Sequence, residues 1–292
     1  MIRRTLQIFL AAALLAAPLS SQTPVENRSA GARTLSSDAS ALPFSPSEEL
    51  VYEGEFTRAL LRGVTIAELR FTFAGAGEKS TSTSDANQAL LPLRFKAEVV
   101  SKGILQKLLG VHFRESIDSS AEPATLAALQ TVKLDEQGSR VRESLAVFDR
   151  AAGQVTWTER DPKNPQRGPR VVASKMSGAV YDIASAIYFL RTRALTPGSS
   201  FEIAVSDSGK VYNVPVRVLG KKRIKTVLGE VETVRVDPEV FGENGLIKGR
   251  GHLSVWLTND ERRIPVRAHI KTEMGTLEVK LKSAALAVAK KG

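Results

Sequence analysis

From residue 50 onward, apolar and polar side chains alternate with a period of two. Between residues 64 and 73, Ala67, Leu69, Phe71 and Phe73 fall on one face and Glu68, Arg70 and Thr72 on the other. Leu93, Phe95, Ala97 and Val99 repeat the pattern against Arg94, Lys96 and Glu98. Successive side chains of a strand point to opposite faces, so this alternation predicts half-buried strands. Clusters of turn-forming residues separate them: Asp135-Glu136-Gln137-Gly138, Asp149 to Gly153, Ser206-Asp207-Ser208-Gly209 and Thr258-Asn259-Asp260. Spacings of roughly ten to twenty residues suit antiparallel hairpins in a meander rather than crossover units.

One segment breaks the rhythm. Residues 181 to 193 place Ile183, Ile187 and Leu190 on one helical face. Asp182 is positioned as an N-cap, accepting hydrogen bonds from the open N–H groups of the first turn. Arg191 and Arg193 suit the negative end of the helix dipole, and Pro197-Gly198 ends the excursion. A helix of about three turns is expected, packed on or plugging a curved sheet. Residues 102 to 109 suit a second short helix or a loop, and no internal repeat is visible. The predicted fold is mainly β: a single curved antiparallel sheet forming a partly open or closed barrel with one short helix. Closure would remove exposed strand edges.

The N-terminus changes the setting. Arg3 and Arg4 precede an almost wholly apolar run from Leu6 to Ala17, and Pro18-Leu19-Ser20-Ser21 follows. That order is the secretory pattern, and the run is too short for a stable membrane anchor. The expected organisation is a signal peptide at 1–21, a Ser/Ala/Pro-rich disordered leader at 22–46, a β domain at 47–283 and a tail at 284–292. The chain has 292 residues and no cysteine. Disulfides, thiol nucleophiles and attachment of lipid to an N-terminal cysteine are therefore excluded. The expectation is a periplasmic protein, not a lipoprotein, with no transmembrane segment after signal cleavage. The net charge is +10, of which Arg3 and Arg4 supply two. A surplus of this sign favours anionic surfaces, or simply aids solubility. Nucleic acid is not an expected partner of an exported chain.

Residues 182 to 191 and 253 to 260 carry a resemblance, extending from about residue 48 to 282, to a bacterial exported family designated domain of unknown function 3108. The resemblance rests on residues 182 to 191 (DIASAIYFLR), followed by Leu195-Thr196-Pro197-Gly198. A second block comprises Lys248-Gly249, residues 253 to 260 (LSVWLTND), Arg263-Ile264-Pro265-Val266 and Met274-Gly275; Glu48 to Tyr52 is similar to the family's opening strand. The resemblance implies an envelope protein with a mostly antiparallel β fold akin to exported half-barrels. It implies no reaction. Residues 74 to 175 depart most from the family.

Catalytic patterns are sparse. There is no Gly-x-Ser-x-Gly elbow, and His112, His252 and His269 lack metal-ligand spacing. His252 and His269 would meet across adjacent strands if the chain turns at Asn259-Asp260. Gly75-Ala76-Gly77-Glu78-Lys79-Ser80 departs from a phosphate loop because Glu78 separates Gly77 from Lys79. Carboxylate pairs for glycoside hydrolysis would be Asp237 with Glu239, or Asp260 with Glu261, each near a turn. The basic run Lys221-Lys222-Arg223-Ile224-Lys225 reads either as a contact for anionic lipid or glycan, or as a solvated edge that lysines protect from aggregation. Trp256 and Tyr188 are candidate ligand contacts at a barrel mouth; otherwise Trp256 is core and Tyr188 packs the helix. Asp182, Arg191, Pro197, Gly198, Asp260 and Pro265 read as structural motif residues.

These observations point to a non-enzymatic binding or accessory protein of the envelope, with a lipid, glycolipid or polysaccharide ligand and no cofactor or metal. A ligand-free module docking to an envelope protein partner through a sheet edge is the alternative. A hydrolase is least supported.

Overall fold

The computed structural model describes residues 42–59, 61–76, 91–103, 106 and 112–286. The expected signal peptide, most of the leader and tail, the Gly77–Ser80 stretch and most of residues 102–109 lie outside the described residues. Among the described residues alternation becomes fourteen strands: β1 (Glu48–Arg58), β2 (Leu61–Ala76), β3 (Leu93–Ser101), β4 (Phe113–Ala121), β5 (Ala128–Gln137), β6 (Arg140–Asp149), β7 (Gln154–Arg160) and β8 (Arg170–Lys175) precede the expected helix. The helix α1 (Ile183–Thr192) follows, then β9 (Ser200–Asp207), β10 (Lys210–Thr226), β11 (Gly229–Pro238), β12 (Gly251–Thr258), β13 (Pro265–Thr272) and β14 (Gly275–Ala285).

All fourteen form one antiparallel sheet in the order β8-β7-β6-β5-β4-β3-β2-β1-β14-β13-β12-β11-β10-β9. The chain starts in the middle of the sheet, zigzags to one edge, crosses through α1 to the other edge, and zigzags back. Its ends meet where β1 pairs β14, with Glu53 opposite Lys280. Each turn cluster named above lies at a hairpin or strand connection, and Ala67, Leu69, Phe71, Phe73, Leu93, Phe95, Ala97 and Val99 are all buried.

The sheet curls around α1 but does not close. Edge strands β8 and β9 are not paired with each other. Instead the segment before α1 spans the gap: Ala128 N–H donates to Val180 O, Tyr181 N–H to Ala204 O, and Ser206 N–H to Tyr181 O. The β9–β10 turn also abuts β7 and β8. Gly209 has φ +78°, and a Cβ there would lie 2.8 Å from Val172 O and 2.9 Å from Trp157 Cβ, so only glycine fits.

Helix α1 is fixed at both ends. Asp182 and Ser185 form a reciprocal capping box, and Thr131 Oγ1 donates to Asp182 Oδ2 at 2.5 Å. At the other end Arg191 is 1% exposed rather than a surface charge at the dipole. Its guanidinium donates to both oxygens of buried Glu48, at 2.5 and 3.0 Å, to Pro43 O at 3.1 Å and to Arg262 O at 3.1 Å. The rings of Phe44 and Tyr188 flank it, with centroids 5.1 and 5.4 Å away. The ordered domain therefore begins before residue 47. Phe44, assigned to the leader on composition, is 6% exposed and sits edge-on to Phe73 and Tyr188. At the far end β14 runs to Ala285, two residues past the expected domain boundary.

Removing one partner of a buried ion pair leaves an uncompensated charge. Arg191→Ala is expected to destabilise the fold by about 3–5 kcal/mol. Arg262→Ala, which cuts only the exposed pair with Asp260 and keeps the backbone acceptor, is expected to cost under about 1 kcal/mol. Denaturant unfolding of both variants checks this, and comparable losses would refute it.

Candidate functional site

The apolar stripe of α1 does not fully meet the sheet. Ile183, Ala186, Ile187 and Leu190 form one wall of a cavity of about 210 Å³. Opposite stand Ile203 and Val205 of β9, Val214 and Val216 of β10, Leu253 and Val255 of β12, and Ala268 and Ile270 of β13. Tyr52, Leu69 and Phe71 close one side, and Val240 and Leu246 another. The walls are almost wholly hydrocarbon; Arg267 is the one charged residue that contributes to them. Ala186, Ile187, Leu253, Val255 and Ala268 are only half-buried, which marks where the cavity meets solvent. Tyr52 spends its hydroxyl on Pro265 O at 2.8 Å, so it presents only its ring.

The helical stripe was readable from spacing alone. The β9–β14 wall residues were not singled out, although period-two alternation marks most of them as inward-facing.

Next to the apolar cavity, across Ile183, lies a polar recess of about 30 Å³ bounded by Thr131, Lys133, Asp182, Ser206 and Asp207, with Trp157 and Phe148. Lys133 Nζ lies 2.5 Å from Glu115 Oε1, and both side chains are largely buried. Burial pushes Glu115 up to about 7 against the pull of Lys133, and burial likewise raises Asp207. Lys133 is raised too: burial opposes its charge, but Glu115, Asp207 and Asp135 outweigh it. The recess joins β4 and β5 to β9, across the gap that the strands leave open.

Tyr188 is 1% exposed and stacks on Phe95 at 4.4 Å, so it packs the helix and does not line the cavity. Among the described residues its hydroxyl has no hydrogen-bond partner, and burial raises its pKa strongly. Trp256 alternates with the cavity-lining Leu253 and Val255 and faces the other side of the sheet, where Arg235 lies over its ring at 5.6 Å. Lys221, Lys222 and Arg223 are exposed on β10 beyond Arg217, the last residue that β9 pairs. They occupy a bare strand edge, and Lys221 reaches Glu232 at 3.5 Å. Gly198 N–H docks on Val218 O, so Pro197-Gly198 steers the chain from α1 into β9. Pro265 opens β13 and contributes to the cavity wall. Asp260 accepts from Thr258 at 2.6 Å and pairs with Arg262 at 2.9 Å.

His252 and His269 lie on adjacent strands, but His252 stands opposite Lys271 and His269 opposite Ser254. His252 instead meets Asp237 at 2.9 Å. Burial opposes ionisation of Asp237, but hydrogen bonds from Arg235 and Ser254 hold its carboxyl below the usual range. Glu239 pairs with Arg217 at 3.1 Å. Among the described residues no group of three or more His, Asp or Glu side chains is arranged to hold a metal ion.

This geometry defines a class: barrel-like β proteins whose sheet curls, unclosed, around an internal helix. The chain belongs to the family described as protein of unknown function (DUF3108), which matches residues 68–282. No curated protein matches it. Among solved structures it is similar to a β-barrel-like protein of domain of unknown function DUF1849 from Brucella abortus. That match has a TM-score of 0.52 at 11% identity and covers 84% of this chain and 99% of the other. It supports the fold. A putative exported protein with a YmcC-like fold from Bacteroides fragilis aligns at TM-score 0.30 and 8% identity, over 84% of this chain and 98% of the other. A DUF1089 family protein from Pseudomonas aeruginosa aligns at 0.32 and 10%, over 65% and 95%.

Two outcomes follow from the buried polar groups. Glu115 titrates near 7 when folded and near 4.5 otherwise, so it favours folding at low pH and that contribution is lost as pH rises through about 7. Between pH 5 and 8 the melting temperature of the wild type should therefore fall relative to that of Glu115→Gln; a constant difference would refute the assignment. Tyr188→Phe deletes an unpartnered buried hydroxyl and is expected to be neutral or stabilising by up to about 1 kcal/mol in the same melts.

Proposed function

We propose that the chain is a non-enzymatic binding protein that holds part of an acyl chain, or a similar hydrocarbon segment of a lipid or glycolipid, in the cavity beside α1. The observation that carries this reading is the cavity itself: about 210 Å³ with almost wholly apolar walls. An apolar cavity of about 150 Å³ stays dry and accepts a benzene-sized guest. Pockets for whole drug-sized ligands run from about 300 Å³ upward. The space therefore suits a segment of hydrocarbon and leaves a polar head outside at the half-buried rim. A sugar is a poor occupant, because its hydroxyls would lose hydrogen bonds to water and find few replacements. The secretory pattern at the N-terminus makes the periplasm the proposed setting, with envelope lipids as the proposed source of ligand.

Native mass spectrometry before and after organic extraction, joined to titration with a fluorescent fatty acid, tests this. The expected result is an extractable adduct or saturable binding by the wild type. Binding is expected to be lost in Ala268→Phe, which fills the cavity from β13, and kept in Trp256→Ala, which alters the opposite face. Absence of saturable binding, or equal binding by Ala268→Phe in a correctly folded state, would overturn the reading.

A further inference from the structure

Seven large apolar side chains are exposed among the described residues, and four of them, Val132, Leu145, Val147 and Val171, stand together. Strand register shows how. Val132 pairs with Leu145, Leu145 with Thr158 and Thr158 with Val171, forming one row across β5–β8. The adjacent row runs Gln130, Val147, Thr156 and Ala173. Neither row contains a charge. Elsewhere the outer face is crossed by ion pairs, such as Arg70–Glu49, Arg114–Glu98, Arg267–Glu278 and Lys280–Glu55. A contiguous exposed apolar patch on a soluble surface marks an interaction site.

The rim indicates the partner. Arg160 follows Thr158 on the same face, and the β7–β8 loop beyond it carries exposed Lys163 and Arg167. Glu143 stands opposite Arg160, whereas Asp161, the one acid of the loop, is held by Arg142 at 2.7 Å. At the other end Lys175 and Asp149 offset one another. The end bearing the loop is thus basic, beside an apolar field. Protein hot spots favour Trp, Tyr and Arg, and Leu, Val and Thr are under-represented in them. An apolar face flanked by cations instead suits an anionic bilayer, where hydrocarbon enters the headgroup boundary and cations meet phosphate.

We propose that the outer face of β5–β8, with the β7–β8 loop, docks the protein on an anionic lipid membrane. This surface is separate from the cavity, so it stands or falls independently of the ligand. Co-sedimentation of the full β domain with phosphatidylglycerol/phosphatidylcholine vesicles, against phosphatidylcholine alone, provides the test. The wild type is expected to bind the anionic vesicles, with affinity falling as salt rises. Lys163→Ala with Arg167→Ala should weaken partitioning about 25-fold, at about five-fold per cation. Leu145→Glu should weaken it at least ten-fold while leaving the melting temperature near wild type, because the side chain is already exposed. Ala268→Phe should bind vesicles normally, which separates this surface from the acyl-binding reading. Equal partitioning onto both vesicle types, or undiminished binding by Leu145→Glu, would overturn the proposal. So would a wild-type dimer that Leu145→Glu converts to monomer, since the face would then be covered by a second copy.

Discussion

The Arg191–Glu48 pair is the interaction on which the rest of the architecture depends. A guanidinium and a carboxylate removed from water cost several kcal/mol each unless every donor and acceptor is matched. Here four hydrogen bonds and two aromatic faces meet one guanidinium. The groups it joins are distant in sequence: the segment before β1, the first residue of β1, the end of α1 and the β12–β13 turn. Arg263 adds to the knot by donating to Arg191 O at 3.2 Å. A hydrophobic contact at this position would tolerate sliding, whereas bidentate geometry allows very little. The helix is thereby held at a set distance from the sheet. Tyr188 is drawn against Phe44 and Phe95, and the opposite stripe is left standing off from β9–β13. The cavity follows from this tether as much as from its walls.

Two different interiors coexist under one sheet. Toward β9–β14 the inward residues that face the cavity are mostly Val, Ile and Leu, and the space between them and α1 is apolar. Toward β4 and β5 the same inward positions hold Glu115, Thr131, Lys133 and Asp135. Thr131 and Lys133 border the recess beside the gap, and Thr131 bridges toward it by donating to Asp182. Backbone bonds through Val180 and Tyr181 span the gap itself. A gap bridged by side chains and an irregular segment is less regular than a ladder.

The exterior divides as well. Cross-strand ion pairs cover much of the convex surface of the central strands. Each contributes little to stability when exposed, and together they give the outer face of these strands a charged cover. The lysines and arginine near Lys221 guard the length of β10 that β9 leaves unpaired. Among the described residues, the two apolar rows of β5–β8 carry no such pair.

Strand positions, hairpin turns, the helix with its Asp182 cap, and the mostly antiparallel class were legible in the sequence. Each depends on contacts between near neighbours, and period-two and helical spacing record those contacts directly. Sheet order was not legible. Alternation states which face a residue occupies but not which strand lies beside it, so the β1–β14 pairing and the open edge between β8 and β9 were beyond local pattern. Glu48 was read only as the start of an opening strand and Arg191 as a helix-end cation, because burial of each depends on the other being brought to it. Trp256 shows the converse. Its aromatic character suggested a ligand contact, and only the register of β12 decided that it lies on the face opposite the cavity. Local spacing thus determined the elements and their faces. The size of the cavity and the chemistry of the gap were decided by long-range closure, which no short stretch of sequence encodes.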